Sequence, residues 1–126
     1  MLRSAVIFVT LLLATPAGAG ETVREFRGSD NSTTAVFTVD SPWLLDWRVD
    51  GDYVALVALD LKLIDGNTGL YIGSVLRTKH IGNGVKLFNR SGRYRLRVSA
   101  TLADWTLKIV QLTREEAELY TPKEKS

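Results

Sequence analysis

A chain of 126 residues without cysteine excludes disulfide staples, thiolate metal centres and thiol or redox chemistry. Its 16 basic and 14 acidic residues leave a formal charge of +2, too near neutral for a general nucleic-acid binder. A single histidine excludes the multi-histidine metal sites typical of hydrolases.

Met1-Leu2-Arg3 is a short basic start, and Ala5 to Ala14 is an uncharged apolar run that Pro16 interrupts. Ala17-Gly18-Ala19 then supplies small residues at the positions a signal peptidase accepts. These three parts predict a secretory signal peptide over residues 1–19, leaving Gly20 to Ser126 as the mature chain. The apolar run is about half the ~20 residues that span a bilayer, so no transmembrane anchor is expected. Exported domains that lack disulfides fit a bacterial periplasm or secreted fraction, which sets the expected location. No processed N-terminal cysteine is present to carry a lipid.

Residues 20–112 read as short strands separated by turn chemistry, a single β domain. Thr22 to Arg27 is a first strand, and Gly28 to Ser32 a loop of residues that bond their own backbone. Thr34 to Val39 alternates, with Ala35, Phe37 and Val39 on one face, until Asp40-Ser41-Pro42 turns the chain. Trp43 to Asp50 has the clearest period of two: Trp43, Leu45, Trp47 and Val49 against Leu44, Asp46, Arg48 and Asp50. After the Asp50-Gly51-Asp52 turn, Tyr53 to Ile64 is apolar on both faces at its start, as in a strand covered on both sides. Asp65 to Gly69 is a turn before a strand over Leu70 to Arg77, and Gly82-Asn83-Gly84 leads into Val85 to Phe88. Asn89 to Gly92 introduces a strand over Arg93 to Ser99, and Trp105 to Leu112 is the last. Within 113–126, Thr113 and Glu116 have capping-box spacing for a short helix through Tyr120, followed by a loose charged tail.

About eight strands with no long helix predict an all-β fold, an antiparallel two-sheet sandwich of jelly-roll type. Ser91-Gly92-Arg93-Tyr94-Arg95-Leu96-Arg97-Val98, followed by Trp105-Thr106-Leu107-Lys108-Ile109, resembles the closing hairpin of secreted jelly-roll modules. Bacterial pre-peptidase C-terminal-type domains and CUB-like sandwiches share that pattern. The resemblance implies a sandwich that assists or binds, and it carries over no catalytic residue.

Arg93, Arg95 and Arg97 alternate with Tyr94, Leu96 and Val98, so a strand would align three guanidiniums roughly 6.5–7 Å apart on one face. With Lys86 and Arg90 nearby in sequence, they form a candidate site for an anionic glycan or a lipid phosphate. The competing expectation is an ordinary charged face whose arginines pair with Asp46 and Asp50 of the Trp43 strand. Six aromatic residues, Trp43, Trp47, Tyr53, Tyr71, Tyr94 and Trp105, would stack on sugars if exposed in a plane. The tryptophans share faces with aliphatic residues and are therefore expected in the core, with Trp43 placed nearest a rim. Neither Asp50-Gly51-Asp52 nor Asp65 to Gly69 has EF-hand spacing, so both read as hairpin turns, and no metal or other cofactor is expected.

His80 lies beside Lys79 in a loop, and no serine sits in a G-x-S-x-G elbow. The expectation is a non-catalytic binding module acting through the basic face. The alternative is a structural or protein-interaction domain of the envelope, working through a sheet edge or by self-association.

Overall fold

Alternation dictates the first element of the core. The computed structural model describes residues 20–120, so segment 1–19 and the tail beyond Tyr120 lie outside the described residues. Within them, β4 (Trp43–Asp50) turns Trp43, Leu45 and Val49 inward at 1%, 0% and 2% exposure. Facing it across the interior, β8 (Gly92–Thr101) buries Tyr94, Leu96 and Val98 in the same rhythm. Two such half-apolar strands cannot stay in water, and each completes its sheet with neighbours of the same pattern.

Seven other strands join them: β1 (Glu21–Gly28), β2 (Ser32–Thr33), β3 (Phe37–Val39), β5 (Ala58–Asp65), β6 (Tyr71–Thr78), β7 (Gly82–Phe88) and β9 (Asp104–Gln111). One sheet has the order β1-β9-β4-β7; the other runs β2-β8-β5-β6, with β3 also pairing β8. Every pairing is antiparallel. Taking β2 and β3 as one interrupted strand, β5 pairs β6, β4 lies beside β7, β2 and β3 lie along β8, and β1 closes on β9. This nesting of hairpins is the winding of a jelly roll.

Three expectations are corrected. Val54–Leu56 is a 3₁₀ turn with exposed side chains rather than the start of a strand, and β5 begins only at Ala58. Apolar residues on both faces there mark a projecting loop instead of a doubly covered strand. The stretch Thr34 to Val39 is broken: Thr34 is buried at 5% and Ala35 is exposed. Thr34 N–H donates to the Leu96 carbonyl (2.9 Å), and its Oγ1 accepts from Leu96 N–H (3.0 Å), so its side chain takes the place of a main-chain acceptor at the break. Gly82-Asn83-Gly84 belongs to strand β7 rather than to a preceding turn.

Between the sheets Leu59, Leu61, Leu107 and Ile109 meet the residues above in one apolar cluster. A smaller cluster lies on the outside of the first sheet, where Leu44, Val110 and Leu112 are covered by Ala117 and Tyr120. The cover is α1 (Arg114–Ala117) and a 3₁₀ turn over Glu118–Tyr120. Its capping box is complete: Thr113 Oγ1 accepts from Glu116 N–H (3.1 Å), and Glu116 Oε1 accepts from Thr113 N–H (2.8 Å).

Candidate functional site

The outer face of the second sheet carries the arginines. Because Tyr94, Leu96 and Val98 face the core, Arg93, Arg95 and Arg97 all project the other way. Cross-strand register sets their neighbours: Arg97 lies opposite Lys62 of β5 and Thr33 of β2, Arg95 opposite Ile64, and Arg93 opposite Thr38 of β3. β6 extends the rows with Arg77 opposite Asp60 and Tyr71 opposite Ile64. Five bases (Lys62, Arg77, Arg93, Arg95, Arg97) thus share a face with one acid, Asp60.

That acid is already engaged. Asp60 Oδ2 lies 3.3 Å from Lys62 Nζ and 3.5 Å from Arg77 Nε. Among the described residues no ion pair reaches Arg93, Arg95 or Arg97. Arg93 Nη1 donates to Asn67 Oδ1 (2.9 Å), and Arg95 Nη1 donates to the Thr34 carbonyl (3.5 Å). A guanidinium has five N–H donors, so each keeps several for a ligand. Ile64, 1% exposed, and Tyr71, 57% exposed, share a row with Arg95, so the basic face also carries an open aromatic ring.

The acids expected to neutralise this face are elsewhere. Asp46 and Asp50 lie on β4 in the opposite sheet, where Asp46 is in register with Lys108 of β9. Asp46, Arg48, Lys108, Thr106 and Arg27 line a hollow of about 270 Å³ there.

Lys86 and Arg90 do not join the three arginines. Lys86 sits on β7, opposite Leu45, and its Nζ donates to the Val75 carbonyl (3.1 Å), tying the edge of one sheet to the other. Nearness in sequence fails because β7 and β8 belong to different sheets. Arg90 lies in the turn between them, where its carbonyl accepts from Trp43 Nε1 (2.9 Å) and Tyr94 O–H (3.2 Å). The sequence singles out neither Lys62 nor Arg77 as a partner of the three arginines, and it offers Tyr71 only as a stacking aromatic. Their alternation with apolar residues was visible, but the register that places them beside β8 was not.

The tryptophans are largely structural. Trp43 is 1% exposed, stacked on Phe88 at 4.2 Å between centroids, so it does not reach the rim. Trp105 is 4% exposed, and its Nε1 donates to the Asp30 carbonyl (3.1 Å). Trp47 is the one left half-buried.

Among the described residues, Asp65 is the titratable group that its surroundings shift. Asp65 is held below the ordinary 3.8 by hydrogen bonds from the Thr68 hydroxyl and backbone, with Arg93 nearby adding to the effect. The Asp65 Oδ2 distances are 2.6 Å to Thr68 Oγ1 and 2.9 Å to Thr68 N, which close the turn before β6.

His80 is exposed in the turn between β6 and β7, where its N–H donates to Thr78 Oγ1 (3.2 Å). It borders a cleft of about 800 Å³ together with Asp60 and Ser99. Among the described residues no hydrogen bond links its ring to either. No group of three or more His, Cys, Asp or Glu among the described residues is arranged to hold a metal ion. No helix in the described region is long and apolar enough to cross a membrane. No family model matches the chain, and no curated protein matches its sequence.

Proposed function

We propose that the chain is an exported, non-catalytic binding module whose basic face holds an anionic glycan or the phosphates of a lipid. The observation that carries this reading is the row of Arg93, Arg95 and Arg97, flanked by Lys62 and free of ion pairs among the described residues. An ordinary surface interleaves acids with such bases, because like charges on adjacent strands repel. Here Arg97 lies directly opposite Lys62, whose acid partner Asp60 is shared with Arg77, and a bound polyanion would relieve the repulsion that remains. Export rests on the apolar segment before Gly20.

Thermal melting and direct titration with polygalacturonate, phosphatidylglycerol vesicles and neutral dextran test the proposal. Polyanion binding should fall steeply with salt, and each of Arg95→Ala and Arg97→Ala should weaken it about fivefold, at ~1 kcal/mol per basic side chain. Equal binding of neutral dextran, or indifference to salt, would overturn it.

A second reading, a protein-interaction domain, draws on one observation. Tyr53, Val54 and Leu56, at 55–62% exposure, project together from the turn between β4 and β5. A run of exposed apolar residues on a loop tip suits a protein contact. Sedimentation that shows concentration-dependent association, abolished in Leu56→Ser and indifferent to salt, would favour this reading.

A further inference from the structure

At one end of the sandwich a cleft of about 690 Å³ opens between the edge strands of the two sheets. One wall is the β5–β6 turn and the start of β6; the other is the end of β7 and the turn into β8. Leu63, Leu70, Ile72, Leu87 and Phe88 make its apolar lining, and Arg90 and Arg93 border it. Leu70 is 67% exposed and Ile72 44%, so both side chains are open to an occupant of the cleft. The volume lies within the roughly 300–1,000 Å³ of small-molecule sites, and Asn67, Thr68, Asn89 and Ser91 make the rest of the lining polar.

The charges at the mouth select the occupant. Arg93 already donates to Asn67, which fixes its guanidinium at the border with donors to spare. Asp65 also lines the cleft and keeps its negative charge while it accepts from Thr68, so Arg90 and Arg93 together leave the mouth one net positive charge. We propose that this cleft takes the hydrocarbon tail of a fatty acid, with Arg90 and Arg93 holding the carboxylate. The proposal goes beyond the basic-face reading and shares only Arg93 with it.

Isothermal titration of the purified protein with octanoate, decanoate and dodecanoate below their micelle concentrations tests this, with decanol as the uncharged control. Affinity should rise about fourfold per added methylene, the factor that ~0.8 kcal/mol of burial confers. Decanol should bind at least fivefold more weakly than decanoate, and Arg93→Ala should erase that difference. Leu70→Ser and Ile72→Ser alter exposed positions and should leave the melting temperature in place while weakening dodecanoate about tenfold.

Arg97→Ala, away from the cleft, should change nothing for dodecanoate. Affinity independent of chain length, or unaffected by both serine variants, would overturn the cleft proposal even if polygalacturonate binds. Dodecanoate binding without polygalacturonate binding would overturn the basic-face reading alone.

Discussion

The indole of Trp105 lies across Gly28 on the neighbouring strand β1, so closely that any Cβ there would collide with the ring. Trp47 lies in the same way over Gly84 of β7, where a Cβ would come within 2.8 Å of Cζ2. The two glycines are on the outermost strands of one sheet, so each edge is covered from inside by a tryptophan of its neighbour. Cross-strand pairs of an aromatic with glycine are a recognised means of supporting a sheet edge.

Gly28→Ala and Gly84→Ala should therefore both destabilise, by about 1–3 kcal/mol each, the usual cost of overpacking. Gly28→Ala should cost more, because Trp105 is 4% exposed and its Nε1 is committed to the Asp30 carbonyl, whereas Trp47 is half-buried. Urea unfolding of the two variants, followed by tryptophan fluorescence, checks both the size and the order.

Thr34→Val should lower stability by about 1–3 kcal/mol. The buried Leu96 N–H would lose the Oγ1 that accepts from it, and a buried donor left unpaired bears its full desolvation cost. Thr34→Ser keeps the acceptor and should recover most of the loss. Parallel thermal melts of the two variants distinguish the hydrogen bond from simple packing.

The Asp65 turn predicts a pH dependence with a definite sign. Its folded value is depressed below 3.8, so its contribution is complete well above 3.8 and is lost as pH falls through the lower folded value. Asp65→Asn should be less stable than the parent at neutral pH, and the gap should close in the acid range below 3.8. Urea midpoints measured across that range provide the check.

Thr113→Ala removes the hydroxyl of the capping box and should cost about 0.5–2 kcal/mol. The helical turn it begins covers Leu44, Val110 and Leu112, so the variant should also bind more of a dye such as ANS that reports exposed apolar surface. An unchanged melting temperature and dye signal would show that α1 does not depend on its cap.

Where local chemistry decides, the structure could be read from the residues. The alternation of Trp43 to Asp50 and of Arg93 to Ser99 specifies both strands and their buried faces, and Thr113 with Glu116 announces the cap. Legibility ends where partners distant in sequence decide. Val54, Ala55 and Leu56 look like strand residues, yet no neighbouring strand covers them, and they form an exposed turn. Lys86 lies a few residues before Arg93 but on the other sheet, while Lys62, far away in sequence, stands opposite Arg97. Pairing register is a long-range property, and a single sequence carries it only weakly.

The pairing of β1 with β9 bears on how the chain assembles. Glu21 meets Gln111, so among the described residues the first strand pairs with the last alone. Contacts of such separation must overcome a large loop-closure entropy, and topologies dominated by them fold slowly. A chain emerging amino-terminus first can close the Ala58–Asp65 and Tyr71–Thr78 hairpin early, but Glu21–Gly28 must wait until Asp104–Gln111 has been made. Until then Val23 and Phe26 have no ladder to join, and the half-finished sheet offers an open edge to any other strand. The nascent protein is for that interval a client for whatever keeps unfolded chains apart, and a product stopped before Gln111 would remain one.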